Sequence, residues 1–296
     1  MYAKALEMGD HHRSCADFIG DVLPLISRDC EQKKRDDMSL ILCKSLRMAG
    51  RYRESVEIVE SVDLDRVSNV DRMSFLYSYA EALFNLDRKA EASIAAKKII
   101  ESSPKAGVAL QARALLVTID DEDDSDDRLE AIEKRARRNK HTMVARNVAI
   151  SRSGSMRFED AVKALRAVQI EAQSERDAHN CVRASIRLAK LLLKQDRDVD
   201  ILTYRLLLDG YHMLHADGSN TLFDSITSVL WDIFERRSDF LNQVSLFRHS
   251  SLRWRLRSDA KAEEVYVKRL PALVDRLRIQ GAHEHFEVVY VLSRFN

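Results

Sequence analysis

Between Asp120 and Asp127 the chain places seven acids in eight residues, interrupted by Ser125 alone. Carboxylates at this density offer oxygen ligands to calcium. An EF-hand loop counted from Asp121, however, needs Gly at its sixth place and Glu at its twelfth, where the chain has Asp126 and Ile132. The run instead leads into a segment ending in Lys134, Arg135, Arg137, Arg138 and Lys140. Acids at the start of a helix and bases at its end complement the helix dipole, so we read a solvated loop followed by a charge-matched helix.

Histidines offer two further arrangements. His212 and His215 stand i, i+3, and His283 and His285 flank Glu284. Neither group has a third and fourth ligand at a zinc spacing, and no H-E-x-x-H occurs. Some small helical RNases use an arginine followed four to six residues later by histidine. Arg205 with His212 and Arg278 with His283, six and four residues lying between, satisfy that spacing, but an arginine-rich chain produces such pairs by chance. The residues after the two arginines are Leu206 and Ile279, where that pattern has a polar group. The four cysteines, Cys15, Cys30, Cys43 and Cys181, form no C-x-x-C. We read them as small core residues in a reducing compartment.

A cationic stripe is better motivated. Asn180, Arg183, Arg187 and Lys190 recur at helical spacing and share one face of a helix over Ala178–Lys194. Arg146 and Asn147 stand on an earlier helix. The competing account is an ordinary solvated face balanced by Glu171, Glu175 and Asp177. Farther on, Arg248, Arg253, Arg255 and Arg257 surround Trp254. Cationic and aromatic groups together can serve RNA or an acidic peptide. Leu252, Trp254 and Leu256 equally make a packing stripe, which we favour.

The elements that position these groups follow from composition. Eight glycines and three prolines in 296 residues leave turn punctuation at about a third of average usage. A sheet fold needs a turn signal every ten residues or so, and a dinucleotide site or a phosphate-binding loop needs a glycine-rich turn; neither pattern occurs. We therefore expect an all-α protein with no cofactor, metal or catalytic site. The net charge of +1 conceals a balance of −7 over residues 1–127 and +8 over 128–296. That dipole can orient a partner but falls short of a nucleic-acid signature. No apolar run approaches a membrane span, so a cytoplasmic location is expected.

Internal repetition organises the chain. Gly50-Arg51-Tyr52-Arg53-Glu54-Ser55 aligns with Asp87-Arg88-Lys89-Ala90-Glu91-Ala92 and with Met156-Arg157-Phe158-Glu159-Asp160-Ala161. Each has a turn residue, then an acid, then a small residue, with apolar helical runs on both sides. Fainter copies place Ser14 and Ala131 at the small position. Leu76, Tyr79, Ala80 and Leu83 precede one copy, Leu42, Cys43 and Leu46 another, and Pro104 terminates a second helix. This pattern resembles the tetratricopeptide repeat, a two-helix unit of about 34 residues. The match is clear over 36–104, fair over 139–173 and degenerate elsewhere.

The resemblance implies a right-handed α-solenoid of stacked antiparallel helical hairpins. Residues 1–173 would form tetratricopeptide-like repeats. Residues 174–296 would continue the same solenoid as degenerate hairpins, through pairs at Ala178–Lys194 with Val199–His215 and Thr221–Arg236 with Asp239–Arg257, then Asp259–Leu270, to a capping helix at Phe286–Phe295. Gly9 leaves room for only Met1–Met8 in a first helix. That fits either a degenerate first hairpin or a chain cut from a longer protein. First helices line the concave groove of such arrays, and in one class Lys, Arg and Asn there clamp a peptide's terminal carboxylate. The resemblance thus implies a non-catalytic scaffold or adaptor. A peptide or partner domain, with an acidic segment or free C-terminus, would meet Arg146, Asn147, Asn180, Arg183, Arg187 and Lys190. A sensor array of a larger bacterial signalling or defence protein, and a helical RNA-binding protein or RNase, are the alternative functions.

Overall fold

The computed structural model describes residues 3, 11–25, 32–103, 106–120, 125–217, 220–256, 267–279 and 281. Every regular element among them is helical: α1 His12–Val22, a 3-10 turn at Leu23–Leu25, α2 Gln32–Met48, α3 Tyr52–Ser61, α4 Asn69–Asn85, α5 Lys89–Ser102, α6 Gly107–Asp120, α7 Ser125–Arg138, α8 Thr142–Arg152, α9 Phe158–Ser174, α10 Ala178–Lys194, α11 Ile201–Asp217, α12 Asn220–Arg236, α13 Phe240–Leu256 and α14 Leu270–Ile279. The expected helix at Phe286–Phe295, most of Asp259–Leu270 and Pro104 lie outside the described residues, as do Cys30, Gly9 and the histidines His283 and His285. The expected helix starts at Val199 and Asp239 move to Ile201 and Phe240. Asp200 and Asp239 instead cap these helices, accepting from the backbone N–H of Thr203 and Asn242.

The turns share one chemistry. Gly50, Asp87, Lys140, Arg176, Asp196 and Ser238 all take left-handed backbone, with φ between 53° and 80°. In each case the next N–H donates to a carbonyl five residues back: Arg51 to Leu46, Arg88 to Leu83, His141 to Ala136, Asp177 to Ala172, Arg197 to Leu192 and Asp239 to Phe234. This closure satisfies carbonyls that a helix end would leave orphaned, and it ends each helix at a left-handed residue. The aligned copies at Gly50 and Asp87 also share an ion pair. Arg51 grips Glu54 through two hydrogen bonds of 2.7 and 2.6 Å, and Arg88 grips Glu91 through two of 2.7 Å.

The chain divides into two compact units: residues 1–188 with 216–221, and residues 189–215 with 222–296. In the first, neighbouring helices pack in sequence, and the even-numbered helices also contact one another: α2 with α4, α4 with α6, and α6 with α8. Their apolar residues form a succession of small clusters. Leu40, Cys43, Val59, Val67 and Phe75 join α2, α3 and α4. Met73, Ala96, Ile99, Ala109 and Ala112 join α4, α5 and α6, and Leu110, Val117, Leu129, Ala136, Val144 and Val148 join α6, α7 and α8. Among the described residues these clusters follow one another along the helices, which is how helical repeats distribute their core.

The small residues of the aligned copies are where helices approach. Ser55, Ala92 and Ala161 are fully buried, and Ser55 returns its hydroxyl to the Cys43 carbonyl at 3.1 Å. The two fainter copies are off register. Ser14 and Ala131 are exposed, and Cys15 and Leu129 take the buried places. Cys15, Cys43 and Cys181 are buried free thiols; burial pushes the Cys43 thiol up, against the pull of its hydrogen bond with Ser55.

In the second unit the core is aromatic. Tyr211 stacks on Phe223 at 5.4 Å and meets Ser250 through its hydroxyl at 2.9 Å; Phe223 in turn meets the edge of Trp254. Burial pushes the Tyr211 hydroxyl up to about 12. Trp254 is fully enclosed and donates to Asp224 at 2.9 Å, while Arg253 lies buried over the Phe223 ring. Trp254 thus packs as the packing reading of that segment expects, whereas Leu252 is exposed, and the side chain of Leu256 lies outside those described. Among the described residues no helix is long and apolar enough to cross a membrane.

Candidate functional site

A groove of about 550 Å³ runs across the even-numbered helices of the first unit. Lys44 and Arg47 enter it from α2, Tyr77 and Glu81 from α4, Gln111 and Thr118 from α6, Asn147 and Ser151 from α8, and Asn180 and Arg183 from α10. These helices begin at Gln32, Asn69, Gly107, Thr142 and Ala178, so the same face returns every 35 to 38 residues.

The charges in the groove are of two kinds. Arg47 is ion-paired to Glu81 at 2.5 Å and lies over the Tyr77 ring. Burial opposes the Arg47 charge, but Glu81 holds its pKa above the ordinary value. Burial also raises the Tyr77 hydroxyl far above the usual range, and Glu81 adds to that rise. Lys44 and Arg183 have no ion-pair partner among the described residues. Arg183 donates to the Asn147 side-chain oxygen at 2.6 Å across from α10 to α8. The groove is therefore lined by neutralised charge at Arg47–Glu81 and by uncompensated positive charge at Lys44 and Arg183.

Arg183 also lines a second cavity of about 520 Å³, together with Arg187, Val117, Leu129, Thr118, Ser125, Ser151 and Ser155. Thr118, Ser151 and Arg183 line both cavities, so the second continues the first. Gly154 borders it, and a Cβ at this position would stand 2.4 Å from Arg187 Nη2.

The six residues singled out from sequence divide sharply. Arg146 is 3% exposed and surrounded by acids. It contacts Glu175 at 2.8 Å, Asp177 at 2.9 Å and Glu171 at 3.7 Å. Burial lowers its tendency to hold a proton, but the hydrogen bond to Glu175 and the charge of Asp177 outweigh that and raise its pKa. The hydrogen bond from Arg146 draws the Glu175 carboxyl below its ordinary value of 4.5. Asn180 is buried against the same cluster; its backbone N–H and side-chain amide donate to the two oxygens of Asp177 at 3.1 and 2.8 Å. Arg146 and Asn180 thus hold the α9–α10 turn, Asn180 also lining the groove, whereas Asn147 and Arg183 line the groove and bond each other. Arg187 is exposed in the second cavity, and Lys190 is exposed farther along α10.

Glu171, Glu175 and Asp177, the acids that a solvated-face account assigned to the stripe on α10, are therefore engaged by Arg146. Sequence reasoning did not single out Lys44, Arg47, Glu81, Gln111 or the hydroxyls of Thr118 and Ser151. Their signal lay in the repeat interval. Arg47 meets Glu81 across 34 residues and Arg183 meets Asn147 across 36, so marking polar residues on each first helix at that interval exposes them. Of the acidic run, Asp126 binds Arg152 and Ser155 at 3.2 and 3.1 Å, and residues 121–124 lie outside the described residues. His212 is exposed on α11 beside Tyr211, and the described residues hold no group of three metal-binding side chains. No protein-family model matches the chain, and none of the curated proteins searched matches it either.

Proposed function

We propose that the protein is a tetratricopeptide-like adaptor, a right-handed solenoid of antiparallel hairpins that holds an acidic peptide segment along the groove of its first helices. The observation that carries this reading is the groove itself. Five successive even-numbered helices each place polar side chains in it. They return at 35 to 38 residues, close to the roughly 34-residue period of that repeat. A peptide laid across them meets a regular row of side chains, and such a row turns many weak contacts into selectivity.

Charge indicates the ligand's character. With Glu81 neutralised by Arg47 and Asp177 by Arg146, the uncompensated cations are Lys44 and Arg183. A guanidinium held at 2.6 Å by Asn147 is already oriented, which lowers the entropy lost when it receives a carboxylate. The test is selection of unphosphorylated peptides from a displayed random library, followed by binding to a Gln111→Trp variant. Gln111 lies mid-groove on α6, and an indole there fills the space. Selected peptides should be acid-rich and lose at least about tenfold in affinity for that variant. Peptides that bind both forms equally would sink the groove reading.

A further inference from the structure

The Arg183–Arg187 pair carries more positive charge than a carboxylate can answer. The two residues stand i, i+4 on α10 and line one cavity of about 520 Å³. Neither has an ion-pair partner among the described residues. Among the described residues, acids of α7, of α9 and of the turn into α10 are committed elsewhere. Asp126, Glu130 and Glu133 of α7 are shared among Arg152, Lys134 and Arg137, and Glu171, Glu175 and Asp177 surround Arg146. Two guanidinium forks are left facing a cavity that also presents hydroxyls. Thr118 and Ser151 donate only to carbonyls four residues earlier in their own helices, Ala114 and Asn147. Such back-bonds are readily exchanged for an acceptor placed in the cavity.

Gly154 is part of this arrangement. Arg187 Nη2 lies where a Cβ of residue 154 would stand, 2.4 Å away. The bare backbone of the α8–α9 turn therefore lets the guanidinium settle against it and into the cavity. A Cβ at residue 154 would therefore shift the flexible end of this side chain.

We propose that this cavity receives the phosphate of a phosphoserine or phosphothreonine in the groove-bound peptide. The inference rests on the peptide reading of the groove, since Arg183, Thr118 and Ser151 line both cavities. A phosphomonoester carries close to two negative charges and three acceptor oxygens at neutral pH. It matches two planar forks and adjacent hydroxyls, whereas a carboxylate would leave one guanidinium unanswered.

The experiment compares N-acetyl phosphoserine amide, inorganic phosphate and N-acetyl aspartate amide by calorimetry at fixed ionic strength. The arginine Nε resonances of Arg183 and Arg187 are followed in the same samples. The phosphoserine amide should bind on the order of tenfold more tightly than the aspartate amide and shift both resonances. Arg187→Gln should lose about tenfold, and Arg187→Lys should recover only part of it, because an ammonium lacks the fork. Gly154→Ala, which leaves the net charge unchanged but displaces the guanidinium, should lose about threefold or more. Equal affinity for the two amides, unmoved arginine resonances, or full binding by Arg187→Gln would each overturn the proposal. So would equal competition by a ribo-oligonucleotide at physiological salt, which would assign the cations to a nucleic-acid backbone. If the phosphate site fails while selected unphosphorylated peptides still depend on Gln111, the groove reading stands alone. Phosphate binding without any groove-dependent peptide would remove the peptide and leave an anion pocket, overturning the assignment to a phosphorylated side chain.

Discussion

Arg146 and Arg183 stand one repeat apart on neighbouring even-numbered helices, and their surroundings are opposite. Arg146 is 3% exposed and ringed by three carboxylates contributed by α9 and the turn into α10. Arg183 has one neutral partner, Asn147, and opens onto two cavities. A charge that loses its water must be paired where it is buried, so the first arginine is committed to structure. The second has no ion-pair partner among the described residues and is held by a neutral amide. The same residue type at the same interval is therefore a structural tie in one helix and a cation with a neutral partner in the next.

Removing the tie has the largest expected effect. Arg146→Ala strips the partner from Glu175 and Asp177 and should cost about 3 kcal/mol in urea denaturation, at the lower end for a buried pair because Glu175 is partly exposed. A loss below about 1 kcal/mol would erase the distinction between the two arginines.

Acid should reach the two regions differently. The folded pKa of Glu175 is depressed below 4.5 by the Arg146 hydrogen bond. Its contribution to stability is complete above the unfolded value and is lost as pH falls through the lower folded one. Stability measured from pH 6 downward to about pH 3 should therefore fall more steeply in the wild type than in Arg146→Ala. Parallel curves would show that Arg146 does not hold this carboxylate.

A smaller effect sharpens the clamp. Arg176 takes φ 57° in the turn that presents Glu175 and Asp177, a conformation glycine adopts without steric cost. Arg176→Gly should raise stability by about 0.5 kcal/mol, seen as a modest rise in Tm, and a fall would mean that the arginine side chain supports the turn. Smallest of all, Arg187→Ala should change stability by no more than about 0.5 kcal/mol, since the side chain is exposed and unpaired. A larger loss would place Arg187 with Arg146 as a tie and weaken the case for an open anion pocket.

Much of the fold was legible before the structure. Gly50 and Asp87 marked turns because the aligned copies share a turn residue, an arginine, an acid and a small residue. The left-handed turn and the Arg–Glu pair depend on neighbours within a few positions, and the small side chain is buried against the adjacent helix, as Ser55 is against Cys43. The fainter copies failed for a different reason. In α7, which starts at Ser125, Leu129 and Ala136 are buried and Ala131 is exposed, so the aligned position is off the buried face. A slip of one or two residues turns a helix face by 100° or more.

The candidate site was legible only in part. The face carrying Arg183 and Arg187 followed from helical spacing, but which acids answer it did not. Glu171, Glu175 and Asp177 lie nearer in sequence to Arg183 than to Arg146, yet they close around Arg146 across 25 to 31 residues. The sequence by itself determined the helices, their turns and the stripes they carry, because propensity, capping and the 3.6-residue period act within a turn or two. Only the tertiary structure decided which arginine was neutralised and which was left open. Charge compensation depends on which helix ends the packing brings within about 4 Å, and Coulomb attraction becomes structural only where that packing also excludes water.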